Sequence, residues 1–219
     1  MRDYLSLGNL WKAVLLGAAV TVMSIPRMIQ GGMPLELFVP LALFCMTLVC
    51  GAASAWGDKG GLCGLFPGWR RTGIGLGIAA IVTIIAAPLT ASWLDPAMRA
   101  AIEASGDEKA LALAYPESAA GKLAAMLWSG SFHVMFLVVA AMSFMARLTR
   151  KVGISVGLVV VLRSAVALYK LQHVGVTDGA VLFVVLSAAE TGCSCLLFAR
   201  TGLVPVVILA MGLDLHLFL

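Results

Sequence analysis

The feature that constrains this chain most is the recurrence, along its whole length, of apolar stretches separated by short polar linkers. Each stretch is about 20 residues long, which is what a helix needs to cross the hydrocarbon of a bilayer. Composition enters as support: 61% of the 219 residues are hydrophobic and 12% are charged, against roughly 25% charged in a soluble domain. The mean hydropathy is +1.02. The chain is therefore expected to be all-α, a polytopic transmembrane helical bundle of about seven spans in one domain. Its first partner is the lipid bilayer.

The expected spans are about residues 10–28, 35–56, 72–93, 122–146, 152–171, 176–199 and 203–219. Residues 94–121 form the longest polar region, within which 96–105 can make a short helix after Pro96, lying at the interface or folding over the bundle. Lys and Arg test this order. With the N-terminus inside, nine fall inside (Arg2, Lys12, Lys59, Arg70, Arg71, Arg147, Arg150, Lys151, Arg200) and five outside (Arg27, Arg99, Lys109, Lys122, Lys170). That asymmetry orients the N-terminus inside and puts the 94–121 loop outside.

Several signals are weaker than they look. Gly73, Gly75 and Gly77 lack a preceding strand and a following Lys-Ser/Thr, so they read as small residues for helix packing rather than a phosphate loop. The five cysteines (45, 50, 63, 193 and 195) are odd in number and lie mostly in or beside apolar segments, which is not a disulfide framework. Cys193 and Cys195 are two apart on a helix and face different sides. No metal or cofactor site is expected, and no arginine-rich run with interleaved aromatics marks a nucleic-acid partner.

Charge inside the spans carries more information, because an ionisable group in hydrocarbon is costly and persists when paired, hydrated or used. By helical rise, Arg163, His133 and Asp214 each lie about 16 Å from a membrane face, and Glu190 about 12 Å from the inner one. These four form an intramembrane polar layer. It is either a cavity, with Glu190 or Asp214 as a base, or a structural pair of Arg163 with Glu190 or Asp214. His173 sits near a helix end, and His216 is close enough to the C-terminus to reach water.

The last third of the chain resembles the CPBP family, the CAAX prenyl endopeptidase and bacteriocin self-immunity group of intramembrane proteins. Arg147-Leu-Thr-Arg-Lys-Val-Gly153 is similar to its basic turn, Tyr169-Lys-Leu-Gln-His173 to its aromatic-x-x-x-His motif, and Leu197-Phe-Ala-Arg-Thr-Gly-Leu203 to its Arg-Thr-Gly turn. Ile208-Leu-Ala-Met-Gly-Leu-Asp214 resembles its last helix. The resemblance implies a CPBP-like core over 122–219, preceded by three N-terminal spans (1–93) and the extracytoplasmic loop, in the bacterial cytoplasmic membrane.

Two departures bear on activity. Where the family carries paired glutamates this chain has Ser129-Gly130-Ser131, and Met211 stands where the last-helix His would fall. A general base must reach the attacking water, and methionine donates no hydrogen bond. The expected function is a catalytically degenerate relative that binds a membrane peptide or lipidated segment, with His173, Glu190 and Asp214 as site candidates. A small transporter and a structural subunit docking through Gly153-x-x-x-Gly157 are the alternatives.

Overall fold

Hydropathy is translated into helices almost segment for segment. The computed structural model of the protein describes residues 7–56, 61–174 and 180–219, and every regular element among them is helical. Helices α1 (Leu7–Gln30) and α2 (Leu35–Trp56) form a hairpin turned at Gly32, whose φ of 66° is left-handed. Helix α3 (Trp69–Leu89) ends in a π-helical turn, Thr90–Leu94. Two short helices follow, α4 (Asp95–Ser105) and α5 (Glu108–Ala114). The fourth span is α6 (Ala119–Trp128), a π-helical stretch (Ser129–Ala140) and α7 (Ala141–Thr149) in one continuous run. Helices α8 (Val152–Val174), α9 (Ala180–Thr201) and α10 (Leu203–Leu213) complete the chain, which closes on a 3-10 turn, Asp214–Phe218.

Six of these runs are long and apolar enough to cross a membrane. The seventh, Leu203–Phe218, is shorter. Its 11 α-helical and five 3-10 residues rise about 26 Å, close to the ~30 Å hydrocarbon thickness. The bundle has about seven spans, as expected. The expected 96–105 helix is present as α4, while α5 was not foreseen. Asp107 starts α5 by accepting a hydrogen bond from the Ala110 amide at 2.8 Å, and Ser118 starts α6 by accepting one from Gly121 at 3.1 Å.

The chain's order gives the bundle two unlike ends. One gathers Arg70, Arg71, Arg147, Arg150, Lys151 and Arg200 at helix termini and is called the basic end below. The other is covered by α4 and α5 and is called the capped end. Helix α10 packs among α3, α9 and the π-helical stretch, with Val206 and Leu209 buried in the same apolar core as Val139, Met142 and Phe198. Its approach to α3 is close enough to require glycine. A Cβ on Gly75 would lie 2.6 Å from Pro205 Cγ, and one on Gly212 would collide with Thr83. Gly73 and Gly77 meet nothing within 4 Å, so only the middle glycine of the three serves this contact.

Candidate functional site

One group of polar side chains lies in the half of the bundle nearer the capped end. Asp214 enters from the end of α10, where its carboxylate accepts a hydrogen bond from Ser129. Its Oδ2 is buried without a hydrogen-bond partner among the described residues. Arg27, in the last turn of α1, is an unlike charge in the field of Asp214. The Arg27 guanidinium also donates to Gln30 Oε1 at 3.1 Å and to the Leu113 carbonyl at the end of α5. One arginine thereby ties α1 to the cap and compensates the Asp214 charge.

The π-helical stretch sets the facing residues of the fourth span. The wider turn shifts the face that the span presents, and Gly130 and Ser131 are buried while His133 is exposed. Ser131 lies 3.1 Å from Ser24 of α1. A Cβ on Gly130 would lie 2.5 Å from Met211 Cγ, so Met211 fills the space that glycine leaves. His133 stands edge-on to Trp128, with ring centroids 6.4 Å apart.

A second cluster latches the cap to the last helix. His216 Nε2 lies 3.5 Å from Asp95 Oδ2, while Tyr115 donates to Asp95 Oδ1 at 3.3 Å. His216 Nδ1 is 2.7 Å from the Leu213 carbonyl. A carbonyl can only accept, so Nδ1 carries a proton. The Nε2 to carboxylate approach is then favourable with a second proton, on the ring or on Asp95, between them. Burial pushes the Asp95 carboxyl above its usual range, opposed by His216 and by the Tyr115 hydrogen bond.

The sign of the resulting pH dependence follows from linkage. A raised native value means that the folded state binds more protons than the unfolded one, from about pH 4 up to that value, so stability falls as pH rises through this window. Asp95→Asn keeps an acceptor for Tyr115 and removes the titration. Its thermal midpoint in detergent should show a flatter pH dependence than the native chain's above about pH 4. Identical slopes for the two proteins would assign the effect elsewhere.

Glu190 occupies a distinct position. Leu197 and Thr201 follow it by seven and 11 residues, so they lie about 20° to either side of it on α9. Both are buried, at 4% and 6% exposure. Glu190, on the same face, is accessible. It lies about two turns further from the basic end than Leu197 and about three turns further than Thr201. The side chain lies in the fields of Arg163, Asp214 and His216. Val160 of α8 is the nearest neighbour that a Cβ on Gly192 would meet, at 3.6 Å. Arg163 is one turn beyond Val160 and Glu190 two residues before Gly192, so on antiparallel helices the two charges share a level.

Three of the four intramembrane residues expected as a layer, Arg163, Glu190 and Asp214, are thus brought into one electrostatic group. His133 is exposed and edge-on to Trp128. The side chain of His173 falls outside the described residues. Sequence reasoning did not find the roles of Arg27, Asp95, Tyr115 and His216 in this cluster. Arg27 and Asp95 carried a signal, as charges at span ends, but nothing local named their partners. Among the described residues no three His, Cys, Asp or Glu side chains converge as metal ligands. Compared with family models, characterised proteins and solved structures, the chain finds no match.

Proposed function

We propose that this integral membrane protein is a CPBP-like, catalytically degenerate binder of a membrane peptide or lipidated segment, held in a recess at Glu190. The observation that carries the reading is Glu190 itself, a carboxylate accessible on the bundle-facing side of its helix and flanked by Arg163. Two further features support it. Gly130 and Met211, at the positions where the family would carry a glutamate and a histidine, pack against each other, so that spot offers neither a base nor an oxyanion donor. Buried Leu197, Phe198, Val206 and Leu209 fill the core toward the basic end, which favours a blind recess over a through-path. In this reading the N-terminus is inside and the cap is extracytoplasmic.

The test uses purified protein in lipid nanodiscs with a farnesylated CAAX peptide and a plain transmembrane peptide. Neither should be cleaved, since loss of one oxyanion donor alone costs about 100 to 1000-fold. One of them should bind, and Glu190→Trp, which fills the recess, should weaken binding at least about tenfold, or about 1.4 kcal/mol. His173→Ala should weaken it as well. Cleavage that disappears in folded Glu190→Gln would replace this reading with an active enzyme. Binding indifferent to Glu190→Trp would end it. A structural-subunit role is the second reading, favoured by Gly153 and Gly157, which are exposed with nothing within 4 Å of an added Cβ.

A further inference from the structure

The basic end carries a groove that the recess does not use. Helix α3 closes onto α10 at Gly75 and leaves a gap of about 840 Å³ between α3, α9 and the loop that precedes α3. Buried Leu62, Leu197, Ala199 and Thr201 form its floor. The walls are two stripes of matching design. Arg71, Ile74 and Ile78 follow one another at three and four residues on α3, and Arg200, Leu196 and Cys193 at four and three on α9. Because the two helices run in opposite directions, each stripe begins with a guanidinium at the basic end. Each then continues apolar for about 10 Å into the bundle.

Ile74, Ile78 and Leu196 are 57%, 41% and 46% exposed, so the groove opens sideways to the acyl region of the bilayer. Phe66 and Trp69 stand 66% and 93% exposed at the same end, the aromatic placement of a headgroup interface. Among the described residues, no carboxylate lines the groove. We propose that it binds an anionic phospholipid, with the phosphate between Arg71 and Arg200 and an acyl chain along Ile74, Ile78, Leu196 and Cys193. Guanidinium matches phosphate by paired hydrogen bonds. A zwitterionic lipid brings its own cation and gains less from two arginines. An acidic soluble partner would meet the arginines but could not reach stripes that lie below the headgroups.

The full chain is reconstituted into phosphatidylcholine nanodiscs containing a minor fraction of phosphatidylglycerol. It is then extracted gently, and the retained lipid is read by native mass spectrometry. The native protein should retain phosphatidylglycerol in preference. Arg71→Gln and Arg200→Gln should each lower that enrichment about fivefold, and the double variant about 25-fold. Ile78→Trp keeps both charges and fills the apolar wall, so it should abolish retention. Millimolar inorganic phosphate should not compete. Enrichment that survives both arginine substitutions overturns the proposal. Retention unchanged by Ile78→Trp reduces it to diffuse surface attraction, and displacement by inorganic phosphate to a simple anion site; either result also overturns it. The single arginine variants change exposed side chains and carry the test even if the double variant does not accumulate.

Discussion

Gly202→Ala is expected to unfold the basic end of the bundle and to cut the yield of folded protein sharply. Gly202 links α9 to α10 with φ 85° and ψ −165°, a region that is essentially closed to residues with a side chain and costs about 1–3 kcal/mol to occupy. The added methyl would also collide with the Pro67 ring and lie 2.7 Å from the Leu65 carbonyl oxygen. Overpacking of that kind adds about 1–3 kcal/mol. The neighbouring chain cannot step aside cheaply. The Cys63 amide donates to the Ala199 carbonyl at 3.0 Å and the Leu203 amide to the Leu65 carbonyl at 2.9 Å, which fixes the loop on both sides of the turn.

The combined cost, about 2–6 kcal/mol, is a large part of an ordinary folding free energy of about 5–15 kcal/mol. Gly73→Ala is the control. It sits in a helix with open space around it, where alanine gains about 0.5–1 kcal/mol. Thermal midpoints in detergent should therefore move in opposite directions. Equal midpoints for Gly202→Ala and the native chain would show that the turn tolerates a side chain.

What the sequence disclosed and what it concealed divide along physical lines. Span positions were legible because desolvation acts on each segment alone: α2 starts and ends at Leu35 and Trp56, as hydropathy places it. Helix α5 was not legible, since Glu108–Ala114 is too short to show a period and is set by the Asp107 cap. The π-helical stretch was hidden for another reason. The polar residues of Ser129–Ala140 are confined to its first five positions and the rest is apolar, so no repeat marks which residues turn inward, and Ser131 and His133 could not be assigned to faces. The same limit applies between segments. Depth along a helix places Glu190 and Arg163 at one level, but the Arg27 to Asp214 field and the Asp95 to His216 approach join residues far apart in the chain, and only the folded bundle brings them together.

The intramembrane charges Arg163 and Glu190 should show the second large effect, and the order of the losses is the informative part. Glu190 lies in the fields of Arg163 and, more weakly, His216, both unlike charges, and of one like charge, Asp214. Arg163→Ala leaves Glu190 with the Asp214 repulsion and only the weaker His216 field against it, whereas Glu190→Gln removes a like charge from beside Asp214. The arginine variant should therefore lose more. An unpaired charge at mid-membrane costs about 2.5–3.5 kcal/mol on insertion scales. Glu190 is accessible, so about 2 kcal/mol for Arg163→Ala and about 1 for Glu190→Gln is expected after screening. The double variant removes both charges together. It should be more stable than the sum of the single losses predicts, with a coupling of at least about 1 kcal/mol in a double-mutant cycle. Unfolding free energies in mixed micelles measure all four corners. Additivity within about 0.5 kcal/mol would mean that Arg163 and Glu190 are held at one level by the packing of α8 on α9 and not by each other. The recess would then present Glu190 to a ligand as an uncompensated carboxylate, and a cationic peptide would become the better probe for it.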